Sequence, residues 1–316
     1  MGYGLVSALG WGLSAIAATI AARRAGTYLA VLCAQALGVV LLVLLALLLA
    51  PSFAGVDIGV ALGLIGSGLL GLLGYLAFYR ALEHGGAVGL VSAISATYGG
   101  VTTVLAVAAL GEHLGIGGAI GVVLAVAGIA LAAARPAARG DDSPGGAGAG
   151  RTASETSVAI GEPVVGVAPA PSRIRALSRA GVPLAIISAL GYGIGGFLLG
   201  KYSGRAGWLV SALVAHGASI TVMLIAFPLL RRRMVWRGNS YGVLWAGAAG
   251  LTDAVGLLAF SQGGAAGQVA VTAAVSSVYP VIPLVGGVLL FSEHLTRRQV
   301  IGVGGIIAGL VLIGLG

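Results

Sequence analysis

The chain has 316 residues, of which 58% are hydrophobic and only 8% charged, with a formal net charge of +8 and a mean hydropathy of +1.06. A water-soluble domain carries about 25% charged residues, so this composition excludes a soluble globule and makes the bilayer the solvent. The positive excess is almost wholly arginine, which in a membrane protein sets orientation; no interleaving with aromatics points to a nucleic-acid partner.

About 20 apolar residues are needed to cross a bilayer as a helix. Such runs lie at 3–22, 28–50, 58–79, 86–110 and 116–134, and again at 182–200, 208–230, 241–261, 268–291 and 299–316. No strand-sized alternation suggests a membrane barrel. The first run has no basic segment before it, so it reads as a retained helix and not a signal peptide. Cys33 is the single cysteine, which excludes a disulfide framework. Between the two sets, 136–180 is rich in Pro, Gly, Ala, Ser and Arg and reads as a disordered linker, because it cannot bury enough apolar surface to offset its ordering entropy.

The two sets are copies of one unit. An offset of 181 puts Ser95 on Ser276, Tyr98 on Tyr279, Glu112-His113-Leu114 on Glu293-His294-Leu295, and Arg24-Ala25-Gly26 on Arg205-Ala206-Gly207. Trp11 falls on Tyr192 and Gly12 on Gly193, and a one-residue slip aligns Ala77-Phe78 with Ala259-Phe260. Five spans is an odd number, so the second unit enters from the opposite face. The expected fold is therefore all-α and integral to the membrane: ten transmembrane helices as two inverted-topology five-helix repeats, at 1–135 and 181–316. Arginine and lysine in the loops number fifteen on one side, six of them in the linker, and two, Lys201 and Arg205, on the other. The positive-inside rule then puts the linker in the cytoplasm and both termini outside.

Transporter sites are marked in sequence by Gly- or Pro-interrupted spans at matching places in two halves. Here Pro280 falls on Gly99, each just after a tyrosine, Tyr279 or Tyr98, with Pro283 close behind. These breakers, with hydroxyls at Ser92, Ser95, Thr97, Thr272, Ser276 and Ser277, predict a cavity wall made by the fourth and ninth spans. The competing reading has the hydroxyls bonding back to their own carbonyls. Asp253 is the only acid inside a span. At mid-bilayer an aspartate costs about 2.5–3.5 kcal/mol, so it is expected to face the interior as a proton or cation site, or as counter-ion to a cationic group; the competing reading is a protonated Asp hydrogen-bonding between helices. His216 falls on Gln35 at the same offset; the pair reads slightly better as interhelical glue than as a proton path. Trp11 and Tyr192 are candidates to line the path.

Other patterns carry less. Glu112-His113 and Glu293-His294 fall at opposite membrane faces and cannot converge on a metal, so no metal site or cofactor is expected. Gly66-Ser67-Gly68-Leu69-Leu70-Gly71 matches a dinucleotide glycine pattern but has no preceding strand. Gly117 with Gly121, and Gly305 with Gly309, are close-packing motifs that join the halves or make a homodimer.

The Ser276 to Gly302 stretch, with Tyr279-Pro280, Glu293 before Leu295-Thr296, Gln299 and Gly302, resembles the EamA family of the drug/metabolite transporter superfamily. The weaker copy at Tyr98 to Gly121 and the Trp11-Gly12 pair share the likeness, which spans both halves and excludes the linker. The resemblance implies a ten-helix secondary carrier, active or facilitative, exporting a small metabolite, amino acid or drug-like solute through a central cavity, with proton coupling common and no enzymatic activity. Two features depart from it: such carriers are drawn with cytoplasmic termini, and the linker is long. The rival readings are a membrane scaffold or receptor acting through the linker, and a membrane-embedded enzyme, which Asp253 and His216 alone support weakly. The expected location is the plasma or inner membrane.

Overall fold

The computed structural model describes residues 2–84, 87–110, 115–133, 181–231, 240–292 and 296–315. The linker at 136–180 and the Glu112-His113 and Glu293-His294 turns lie outside these residues. Every element among the described residues is a helix. In chain order they are α1 (Gly2–Ala25), α2 (Thr27–Leu49), α3 (Ile58–Glu83), α4 (Val88–Ser95), α5 (Tyr98–Leu110) and α6 (Ile116–Ala133). The second half holds α7 (Gly181–Ala206), α8 (Trp208–Leu230), α9 (Ser240–Ala265), α10 (Val269–Ser276), α11 (Val281–Phe291) and α12 (Arg297–Leu315). Eight stretches are long and apolar enough to cross a membrane, counting α4 with α5 and α10 with α11 as one each. Large apolar side chains such as Leu47, Leu48, Ile58, Ile116 and Leu229 stand exposed on the outer faces. In water such a surface is a liability; in a bilayer it is the lipid contact.

Local chemistry places the helix ends. Asp57 caps α3, its carboxylate accepting from the Val60 N–H at 2.9 Å. At the far end of α3, Glu83 accepts from the Thr27 N–H at 3.3 Å and the Thr27 hydroxyl at 2.5 Å, so a carboxylate sits at the N-terminus of α2. The turns before α2 and α8 are made by Gly26 and Gly207, at φ 78° and 80° with extended ψ, a positive-φ conformation that costs glycine little.

The packing repeats between the halves. α1 lies on α9 as α3 lies on α7, and α6 lies on α12. Glycines set the close approaches: Gly10 faces Gly256 and the Thr252 carbonyl, while Gly191 faces Gly74 and the Leu70 carbonyl. Gly68 abuts the Ala215 carbonyl and Gly250 the Ala34 carbonyl. Each pair maps onto the other through the 181 offset and its one-residue slip. Between α6 and α12 the close contact is Gly128 against the Gly302 carbonyl and Ile306, whereas a side chain at Gly117 would meet nothing within 4 Å. The small-residue contact on this face therefore joins the halves, and Gly117 has no part in it.

The fourth and ninth apolar runs are both interrupted, at Ala96-Thr97 and at Ser277–Pro280. Gly99 and Pro283, read from sequence as breakers, instead sit in the first turns of α5 and α11. The first helical turn has no intrahelical partner for its N–H groups, so a proline there removes nothing. Gly99 is needed for another reason: a Cβ on it would collide with the Ser277 side chain and approach the Ala273 carbonyl at 3.0 Å, where the two broken helices cross.

Candidate functional site

Where α1, α3, α7, α8 and α9 meet the two breaks, a central cavity opens between the halves. Its volume, measured to the centre of a water-sized sphere, is about 110 Å³. One water needs about 10–15 Å³ on that measure, so the space suits a small solute. The wall is aromatic. Trp11 packs edge-on to Tyr98 with ring centroids 5.6 Å apart and lies 5.4 Å from Phe260. On the other side Tyr75 meets Tyr192 edge-on at 5.4 Å and lies 6.2 Å from Tyr79. Tyr98 and Tyr279 face each other across the crossing of the broken helices at 6.4 Å. Glycine makes room for both leading aromatics. A Cβ on Gly256 would come within 2.7 Å of the Trp11 indole, and one on Gly74 within 2.7 Å of the Tyr192 ring.

Polar groups enter this wall sparingly. Asp253, from α9, is 5% exposed and lines the cavity, with His216 of α8 at 3.5 Å, an ion pair only when the ring is protonated. Tyr75 approaches the same carboxylate from α3. The Ser14, Ser67 and Ser219 hydroxyls donate to the carbonyls of Ala249, Gly195 and Gly68 at 3.0, 2.7 and 2.7 Å, each bridging two helices.

Of the residues singled out from sequence, Asp253, His216, Tyr98, Tyr279, Trp11 and Tyr192 converge on the cavity. Gln35 is buried in α2 but does not line it. Pairing His216 with Gln35 by offset thus missed the nearer partner, Asp253, which has no acidic repeat equivalent. Ser95 and Ser276 lie behind the wall: Ser276 is 2.5 Å from the Tyr98 hydroxyl, and Ser95 has no hydrogen-bond partner among the described residues. Three of the six small hydroxyls singled out at the breaks serve the backbone, while those of Ser92, Ser95 and Thr272 have no hydrogen-bond partner among the described residues. Thr97 donates to the Ile94 carbonyl at 2.8 Å, Ser276 and Ser277 donate to the Ala273 carbonyl, and the Tyr279 hydroxyl donates to the Ser92 carbonyl at 3.1 Å. The two tyrosines line the cavity, and Thr97, Ser276 and Ser277 bond to carbonyls of their own spans.

The sequence reading passed over Tyr75, Phe78 and Tyr79 on α3, Phe260 on α9 and the three bridging serines. A signal for the first group was present. Tyr75, Phe78 and Tyr79 are spaced i, i+3 and i+4, which puts them on one helical face.

No group of three or more His, Cys, Asp or Glu able to hold a metal occurs among the described residues. A search of curated proteins returns no match. A crystal structure of another protein superposes with a TM-score of 0.66 over 99% of this chain and 96% of that one, at 16% identity, which is a likeness of fold alone. The model of the EamA-like transporter family matches residues 1–134 and 179–315, both halves without the linker. The chain is thus a multi-pass membrane protein belonging to the EamA-like transporter family.

Proposed function

We propose that the chain is a secondary carrier that moves a small solute through the central cavity by alternating access, in the direction of export. The observation that carries this is the cavity itself: it lies between the halves, both contribute to its wall, and an ionisable group faces it. An acid inside the bilayer is a functional group by default, and Asp253 is the residue through which solute or protons would be coupled.

In this reading the units at 1–135 and 181–316 are inverted copies, the linker at 136–180 tethers them, and ten helices span the membrane. An ion pair supports the inversion. Arg205, at the end of α7, pairs with Asp57 at the start of α3 at 2.6 Å. Because α2 leads back to that face, it is also the face at which α1 begins. α1 therefore ends on one side and α7 on the other. Arg23, Arg24 and Arg80 then fall on the face opposite Lys201 and Arg205, which supports a cytoplasmic linker and outer termini. A reporter fused to the C-terminus reads the orientation directly; activity of a cytoplasm-only reporter would reverse it.

The test of function is Asp253→Asn in proteoliposomes. The variant is expected to abolish coupled flux, or to leave residual flux without pH dependence. Unchanged flux with an unchanged pH profile would remove Asp253 from the mechanism.

A further inference from the structure

We infer that the cavity selects a small organic monocation, an ammonium carried on an apolar or aromatic body, with Asp253 as its counter-ion. This rests on the carrier reading above and names its solute class.

The charge pattern argues first. Asp253 supplies the carboxylate and His216 the imidazole of the lining, and no lysine or arginine is among the described residues that line the cavity. A carboxylate or phosphate on the solute would find no permanent cation to meet it, only the His216 ring, which already faces Asp253 at 3.5 Å, and an amino-acid zwitterion would have only its ammonium matched by a carboxylate. Leaving a charge unpaired in a desolvated site is costly. A solute with one positive charge has the opposite fate, because the carboxylate it needs is already buried in the wall.

Proton bookkeeping argues the same way. A hydroxyl has one proton to donate. Ser14, Ser67 and Ser219 give theirs to backbone carbonyls, and Tyr279 gives its own to the Ser92 carbonyl. Ser276 donates to the Ala273 carbonyl at 3.0 Å, so in its contact with Tyr98 the tyrosine is the donor. Five lining hydroxyls therefore offer a solute only lone pairs. The donors that remain on the wall are the Trp11 indole, the His216 ring and the hydroxyls of Tyr79 and Tyr192; Tyr75 approaches Asp253. Eight of the lining side chains are aromatic. Ring faces attract cations, the more so when desolvated, and Trp does so best. Trp11 stands in the wall with Tyr98 and Phe260 against it.

The experiment measures binding by calorimetry on the purified full chain with three probes that differ only in head group: benzylammonium, benzyl alcohol and benzoate. Benzylammonium is expected to bind at least tenfold tighter than benzyl alcohol, with benzoate weakest. Asp253→Asn should remove at least tenfold of the benzylammonium affinity and weaken benzyl alcohol by much less, and retained alcohol binding shows that the variant is folded. Trp11→Leu should weaken the cation more than the alcohol. Should Asp253→Asn not purify, the ranking on the unaltered chain decides alone. Equal binding of cation and alcohol, tightest binding of benzoate, or full cation affinity in Asp253→Asn would each overturn the inference. The carrier reading fails separately. A chain that moves a neutral or anionic solute in liposomes keeps that reading and loses this one. A chain that binds benzylammonium yet moves no solute does the reverse.

Discussion

Asp57 shows how one exposed residue can hold two elements. Its carboxylate caps α3 through the Val60 N–H and pairs with Arg205 across the halves. The backbone hydrogen bond, then the Arg205 guanidinium, hold its carboxyl below the usual carboxylate range. A folded-state value lowered in this way contributes stability above the ordinary carboxylate value and loses it as pH falls through the lowered one. Asp57→Asn is therefore expected to lower the melting temperature at neutral pH, and the gap from the parent should close in acid. A gap that stays constant from pH 7 down to about pH 3, below the ordinary aspartate range, would mean the carboxylate charge is irrelevant there. At the same scale, Asp253 was legible in the sequence because an acid inside an apolar span is conspicuous. Its partner was not: His216 lies 37 positions away on another helix, and no spacing rule links residues that meet only when α8 packs on α9.

At the scale of elements, the glycine contacts decide how closely helices approach. Gly68 touches the Ala215 carbonyl and Gly250 the Ala34 carbonyl, backbone against backbone with no flexible side chain to yield. Gly68→Val or Gly250→Val should push α3 from α8 or α9 from α2, at a cost of about 1–3 kcal/mol or more. The check is thermal unfolding in detergent, with Gly71→Val as the control, since a Cβ there meets nothing within 4 Å. Equal effects at Gly68 and Gly71 would refute the close-contact account. Helix existence and the repeat were readable here, because apolar run length and the 181 offset are properties of the chain alone. Where the breaks fall was read less well. The break at Ala96-Thr97 forms without a proline, whereas the one at Ser277–Pro280 includes Pro280 as the N-cap of α11.

For the whole molecule, the family match stops at both edges of the linker, and the described residues that line the cavity come from both halves. Deleting 140–172 is therefore expected to preserve flux in proteoliposomes, with any loss confined to expression. Abolished flux in a folded, membrane-inserted deletion variant would give the linker a part in transport.

Composition and periodicity by themselves determined the solvent, the helical class, the duplication and the buried acid, because each follows from local hydrophobicity or from self-similarity along the chain. Only the tertiary structure decided which side chains share the cavity. Tyr75, Phe78 and Tyr79 became wall residues when α3 settled on α7, Gln35 was left out, and Asp253 met His216. An apolar span tells little about which of its faces turns to lipid, since the bilayer and a packed helix are equally apolar neighbours. That choice was made by glycine-sized gaps on partner helices, and those gaps acquire meaning only once the helices are side by side.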